Sequence, residues 1–168
     1  MQVDWCKNLS PGRLATMACL LEVSAPKPGN VHRGADFEDT TFVDFLASAV
    51  AFGNSIDAHS GQPLGKTVLA AIRQTALMAG SNTNLGLVLL ITPLAKCPGT
   101  PLEPAAVQRQ LQRLTGEDGR DVYEAIRLAR PGGLGHSPAC DVDDESVGDV
   151  DLLRAMEISA DQIGRAHV

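Results

Sequence analysis

Aromatic residues are scarce, with four Phe, one Tyr and one Trp in 168 positions. A core drawn from this chain must come from Leu, Val, Ile and Ala, which suits helices packed on one another. A surplus of cations is also missing: 14 Lys and Arg stand against 20 Asp and Glu, a net charge of −6. That excludes a general nucleic-acid binder, which needs a basic surface. It leaves room for a phosphorylated small molecule held by a few local cations or a metal. The four cysteines, Cys6, Cys19, Cys97 and Cys140, form no C-x-x-C pair, so neither a zinc site nor a disulfide framework is expected. Long apolar runs are absent as well. The longest, Leu85 to Ile91, falls far short of the ~20 residues that span a bilayer. Met1 to Asp4 offers no basic or apolar leader. These absences predict a cytoplasmic protein with no membrane partner.

What remains is an ordinary globular composition, 44% hydrophobic and 20% charged, enough for one domain. Ser10-Pro11 reads as a helix cap with proline at the first helical position. Leu14, Met17, Ala18, Leu20 and Leu21 then keep helical spacing up to Pro26. A polar loop follows from Ala25 to Asp39. Asp39 or Thr40 is placed to cap a second helix, with Phe42, Phe45, Leu46, Ala49, Val50 and Phe52 mostly on one stripe. Gly61-Gln62-Pro63 breaks the chain before a third helix, about Leu64 to Met78, with Val68, Leu69, Ile72 and Leu77 inward. Leu85 to Leu94 is short enough to be a buried strand. Helix is the better reading, since Asn82 is a good cap and no partner strands are near. Cys97 to Pro104 is a proline-rich loop. Pro104 to Leu114 and Asp118 to Ala129 read as helices, Pro131 to Gly135 as a flexible turn, and an acidic stretch leads to a last helical pattern at Leu152, Leu153, Met156 and Ile158. The expected fold is all-α, a single-domain helical bundle over residues 1–161.

Two segments carry chemistry. In Pro26-Lys27-Pro28-Gly29 the prolines stiffen the backbone around the lysine, and Gly29 permits a turn or close approach to a ligand. A lysine held this way loses little entropy on meeting an anion, though it is equally an exposed loop lysine. His32 and Arg33 lie within reach of the same anion. Asp36, Glu38 and Asp39 then place three carboxylates just before a helix. Asp39 can be a cap and Glu38 can favour the helix start, but Asp36 has no capping position to fill. Asp36 and Asp39 are therefore candidate ligands for Mg²⁺, which takes one or two carboxylates plus substrate phosphates.

The second segment, Gly80-Ser81-Asn82-Thr83-Asn84-Leu85-Gly86, has no Walker lysine and is not a P-loop. It is a small-residue loop at a helix start, where free N–H groups favour an anion. Ser81, Asn82, Thr83 and Asn84 could also bond a base or ribose. Plain capping needs one of these four residues and leaves three unexplained. Glu22 stands near the end of the first helix, where the dipole disfavours a negative charge, which points to a functional role for it. His59 and His136 have no partners at recognisable spacing and read as structural or exposed.

Together these segments resemble the triphosphoribosyl-dephospho-CoA synthase family. Glu22 to Arg33 with the acidic residues after it resembles that family's E-x-x-x-x-K-P-G-x-V segment, and Gly80 to Gly86 its G-x-N-T-x-x-G motif. Asp121 to Arg127 and the Gly132–Gly135 turn are similar to further family features. The resemblance implies an all-α enzyme that joins the triphosphoribosyl part of ATP to a ribose hydroxyl of 3′-dephospho-CoA and releases adenine. ATP is then a substrate, Mg²⁺ the expected cofactor and dephospho-CoA, or a related small molecule, the acceptor. For that reaction our expectation, beyond what the resemblance assigns, is Glu22 or Asp36 as base or oxocarbenium stabiliser, Asp36 with Asp39 on the metal, and Lys27 with the Asn82 loop on the triphosphate, near Gly29, His32 and Arg33. Asp36-Phe37-Glu38-Asp39-Thr40 replaces the His-Asp-Met type sequence of those synthases and is closer to a shorter subgroup of archaea and one-carbon-metabolising bacteria. A different acceptor, or a non-catalytic nucleotide-binding fragment, are the competing expectations.

The last residues carry a separate signal. Ile163 to Val168 can be encoded by ATC GGA AGA GCA CAC GTC. With a following TGA and the AG of a Gln162 codon, that string matches a common short-read sequencing adapter. Residues 162–168 are therefore expected to be a non-native tail on a fragment whose gene continues, the more so because chains of the resembled family are longer.

Overall fold

Ser10 accepts the Arg13 N–H on its hydroxyl at 3.2 Å, and Pro11 follows it, so α1 (Pro11–Ser24) begins as its sequence predicts. It ends before Pro26, with Ala25 already extended at φ −81° and ψ 120°, the conformation proline imposes on its predecessor. The computed structural model describes residues 8–99, 102–132, 140–144 and 150–160. Gly133 to Gly135, His136 and the expected tail lie outside them.

The second helix, α2 (Phe42–Ala58), starts on Thr41 rather than on Asp39 or Thr40. Thr41 and Asp44 form a capping box that satisfies two free donors reciprocally. These bonds hold the Asp44 carboxyl below its usual range. α3 (Leu64–Ala79) stops at Gly80, which takes the left-handed conformation at φ 70°. The ambiguous apolar run is α4 (Leu85–Ala95). α5 (Pro104–Leu111) is shorter than expected. α6 (Gly116–Ala129) begins earlier than expected, on a Thr115–Asp118 capping box, and α7 (Leu152–Ala160) follows the acidic stretch. Among the described residues there are seven helices and no strand, only an isolated bridge between His32 and Ala35. The chain is an all-α bundle.

α1 lies on α2, α2 on α3, and α3 on α6, with α4 crossing α3 and α1. Phe52, Val68, Ile72, Val88 and Val122 are completely or almost completely buried where these helices meet. α1 and α2 run antiparallel and touch through glycine: a Cβ on Gly53 would overlap Thr16 Oγ1 and the Gly12 carbonyl, and one on Gly12 would overlap the Gly53 carbonyl. Asp57 completes the joint by accepting the Gly12 N–H at 2.9 Å and the Ser10 hydroxyl at 2.6 Å. This contact selects the small residues Gly12, Ala15 and Cys19 for the buried face of α1, with Val23 one turn on. The larger Leu14 and Leu21, expected inward, are exposed, as are Val50 and Leu77.

α3 and α6 run parallel. Asp118 accepts the Gly65 N–H at 2.8 Å and so caps a neighbouring helix as well as its own. Lys66–Glu117 and Arg73–Glu124 pair along the seam. Lys96 donates to the carbonyls of His59, Ser60 and Gln62 at 2.5, 3.3 and 2.8 Å, tying α4 to the turn after α2. Two consequences position the site. The long loop 25–41 is held at both ends by the α1–α2 pair, and α3 and α6 end side by side.

Candidate functional site

Glu22 sits in the last turn of α1, where the helix dipole opposes its charge. The loop supplies the compensation, because Lys27 Nζ pairs with Glu22 Oε1. Both side chains are about one third exposed (36% and 33%), so solvent weakens the pair. The lysine is presented by a tight turn in which Asn30 donates its N–H to the Lys27 carbonyl at 3.2 Å. Pro28 and Gly29 are its central residues, with Gly29 at φ 76°, as a type II turn requires. Cys19, one turn before Glu22, is buried, and burial followed by the nearby Glu22 charge pushes its thiol up to about 11. It is an inert thiol at neutral pH.

Beyond the turn, buried Val31 anchors the loop. His32 exchanges backbone bonds with Ala35 at 3.0 and 2.9 Å, and its Nδ1 accepts the Gly34 N–H at 3.1 Å. The ring is thus tied to its own loop, whereas Arg33 is exposed. Contrary to the expectation from sequence, Asp36 does cap a helix. Its Oδ1 accepts the Phe42 N–H, the first of α2, at 2.6 Å. Asp39 accepts the Thr40 hydroxyl at 3.3 Å. Thr40 in turn meets the Ser81 hydroxyl at 3.3 Å, which joins the Lys27 loop to the segment after α3.

That segment satisfies more structural demands than one cap. Asn82 Oδ1 accepts the Leu85 N–H at 3.2 Å. Thr83 is buried and donates to Ser48 Oγ at 2.6 Å. Asn84 Nδ2 reaches the Ser48 carbonyl at 3.4 Å. One group is left over. Asn84 is 6% exposed, and its Oδ1 is buried with no hydrogen-bond partner. An acceptor starved in this way costs free energy unless a ligand donates to it.

Two hollows flank Asn82, which lines both. The first, about 280 Å³, lies at the start of α4 between Glu22, Asn30 and Phe37 on one side and Asn82, Asn84 and Gly86 on the other. The first-turn N–H groups of Gly86 and Leu87 belong to the donors a helix start leaves free, and that helix end favours an anion. The second, about 440 Å³, lies where α3 and α6 end, between Asp39, Ser81, Arg130 and the apolar Ile72, Ala76 and Leu128. The structure thus brings Glu22, Asn82, Thr83 and Asn84 to one hollow, with Lys27 joined through Glu22, and Asp39, Ser81 and Asn82 to the other. Lys27, Gly29, His32, Arg33 and Asp36 line neither.

Asn30, Phe37 and Arg130 escape the sequence reading. Each carried a signal, Asn30 and Phe37 by lying inside the two stretches quoted for the resemblance and Arg130 by standing between a helix end and Pro131. Among the described residues no three His, Cys, Asp or Glu side chains gather into a metal cage. Asp36 and Asp39 each have one oxygen engaged by these residues and a second without a hydrogen bond to them, which fits a Mg²⁺ bound chiefly through substrate phosphates.

The family model described as ATP:dephospho-CoA triphosphoribosyl transferase matches residues 8–166. No curated protein and no solved structure matches the chain.

Proposed function

The chain belongs to the ATP:dephospho-CoA triphosphoribosyl transferase family, and on that premise we propose that it transfers the triphosphoribosyl group of ATP to a ribose hydroxyl of 3′-dephospho-CoA, releasing adenine. The observation that carries this reading is the first hollow, where a carboxylate, a helix start and a buried unsatisfied acceptor converge. The start of α4 supplies N–H groups to phosphate oxygens, and Lys27 adds charge from a stiff loop. Asn84 Oδ1 takes a hydroxyl of the donor ribose.

In the transfer, the acceptor hydroxyl oxygen bonds to the anomeric carbon of ATP as the bond from that carbon to adenine breaks. The bonding pair leaves with the base, and the hydroxyl proton ends on adenine after passing through a carboxylate. Glu22 is better placed than Asp36 for that carboxylate, since it lines the hollow while Asp36 holds the start of α2. Paired with Lys27, it also offers negative charge to an oxocarbenium-like transition state. Asp36 and Asp39 would hold Mg²⁺ through their remaining oxygens, and the ion supplies charge neutralisation to the triphosphate.

A related acceptor is the second reading, favoured by Phe37, which lines the hollow in the stretch where this chain departs from the synthases it resembles. The test is to incubate the purified chain with ATP and Mg²⁺, with and without dephospho-CoA, and to resolve adenine chromatographically. Adenine released only with dephospho-CoA supports the assignment. Release with another acceptor alone selects the second reading, and no ATP binding at all removes both.

A further inference from the structure

α1 and α4 lie against each other antiparallel, since Glu22 near the end of α1 shares the first hollow with Leu85 and Leu87 at the start of α4. Away from that hollow the same seam opens into a third, of about 480 Å³. Pro11, Leu14 and Ala18 of α1, Ile91 and Leu94 of α4, and Leu102 after it line this groove. The first hollow and the groove are one helical turn apart on both helices, Glu22 to Ala18 on α1 and Leu87 to Ile91 on α4. Continuous stripes join them, because Leu14, Ala18 and Leu21 fall at i, i+4 and i+7, as do Leu87, Ile91 and Leu94.

Among the described residues no Asp, Glu, Lys, Arg or His lines the groove, whereas Glu22 lines the first hollow and Asp39 and Arg130 the second. α4 carries no charged residue at all, so the side it turns to solvent is apolar too, with Leu90 exposed on it. An open apolar surface of this kind marks a binding groove, and its volume suits a small ligand.

The acceptor of the proposed reaction matches this seam in the order of its parts. Its reacting ribose must meet Glu22, and its diphosphate is strongly hydrated. Beyond the diphosphate it carries a long, uncharged arm of methylenes, a gem-dimethyl group and two amides. We propose that the groove binds this pantetheine arm of dephospho-CoA; the assignment rests on the transferase reading of the first hollow. Along α1, Ala18 stands about 6 Å from Glu22 and Pro11 about 16 Å. The first interval leaves room for the diphosphate, which keeps its water outside the exposed Leu21 and Leu90. The rest of the seam takes the arm, with its methyl groups against Leu14, Ile91 and Leu94 and its amides toward the open side, where water satisfies them. A charged group in place of the arm finds no partner in this lining, so the groove selects a pantetheine-bearing nucleotide over a plain one.

Reduced pantetheine, followed by ligand-detected NMR, probes the groove directly in the full chain. The wild type should bind it, and dephospho-CoA but not ATP should displace it. Ala18→Glu and Leu102→Glu each place a carboxylate at an exposed position on the groove's wall. Each should weaken pantetheine about tenfold, ~1.4 kcal/mol. Each should also raise KM for dephospho-CoA by a similar factor and leave kcat and ATP affinity unchanged, since only uniform binding is lost. Leu77→Glu, exposed on α3 and outside the groove, should change none of these. Dephospho-CoA-dependent adenine release by a chain that binds no pantetheine, or whose KM survives both substitutions, overturns the proposal and leaves the transferase reading standing. A dimer in sedimentation that either substitution breaks gives the groove to a second copy and overturns it likewise. Absence of adenine release with any acceptor removes the reading beneath it.

Discussion

Replacing Asn84 with leucine separates what the fold needs from what the ligand needs. Asn84 is 6% exposed, and the carbonyl of its side-chain amide has no partner. An unpaired acceptor in the interior costs about 1–3 kcal/mol. The amide's other contact, to the Ser48 carbonyl, is long at 3.4 Å and contributes about 0.5 kcal/mol, the low end for a neutral bond. No capping bond is lost, because the Asn84 side chain makes none to α4. Leucine has nearly the same shape and no polar atom to strand. Asn84→Leu should therefore stabilise the ligand-free chain by about 1 kcal/mol, or about 3 °C in midpoint for a chain of this size. ATP binding should move the other way, weakening about tenfold, because the variant has nothing to accept the ribose hydroxyl. Urea unfolding with and without ATP and Mg²⁺, together with calorimetry, reads both effects. A variant that loses ligand-free stability while binding ATP as before would refute the assignment of Asn84 to the nucleotide.

Lys27→Ala should weaken ATP binding about three- to tenfold and change stability by less than about 0.5 kcal/mol, since its ion pair is partly solvated; Glu22→Gln should leave binding intact and lower adenine release about a hundredfold, and equal binding losses in calorimetry would dissolve this division. Asp36→Asn keeps an acceptor for the Phe42 N–H and should slow turnover at saturating Mg²⁺ without unfolding, whereas Asp36→Ala should also cost about 1 kcal/mol in urea. Gly53→Ala forces apart two backbones that touch, and should cost about 3 kcal/mol or more, beyond ordinary overpacking; an unchanged urea midpoint would contradict the contact. Burial, and then the Glu117 charge, raise the Asp121 carboxyl above its usual value. The folded chain then holds that proton to higher pH than the unfolded one, and stability falls as pH rises from the ordinary carboxylate value through the raised one. Asp121→Asn should accordingly stabilise the chain at pH 7 and change little near pH 4, in paired unfolding curves.

The helices were legible because proline, glycine and capping residues punctuate the chain. Pro26 ends α1, Gly80 ends α3, and the absence of partner strands made Leu85 to Leu94 a helix. Burial was less legible. An apolar stripe points Leu14 and Leu21 inward, but α1 meets α2 through glycine, and close backbone contact selects small residues over large ones. The capping pairs Thr41–Asp44 and Thr115–Asp118 sit within one turn of the expected helix starts and could have been read as T-x-x-D. The Asp36 cap could not, since it depends on how the loop folds back. Within the site, shared chemistry led to the expectation that the Lys27 loop and the Asn82 segment form one pocket; Asn30 of that loop and the neighbouring Glu22 do line a hollow with Asn82, whereas Lys27 itself does not. The division of that segment between two hollows depends on where α3 and α6 end, which no local pattern records.

The glycine joint between α1 and α2 lies far from the hollow, yet it sets the angle of a lever. α1 is 14 residues long, about 20 Å, with Gly12 near one tip and Glu22 near the other. α2 mirrors it, with Gly53 at the joint and Thr41 at the distal tip, where the Lys27 loop is attached. At the joint the two backbones meet directly, and the side chains beside them, Thr16 and Asp57, are themselves held by hydrogen bonds, so little there can repack to absorb a change in spacing. A wedge as small as one methyl group must tilt the helices, and the arm carries that tilt to the carboxylate. Misplacement of about 1 Å at a reacting group can cost a hundredfold in rate. Variation at Gly12 or Gly53 should therefore lower adenine release per folded molecule as well as stability, because the same wedge that destabilises the joint misplaces the carboxylate.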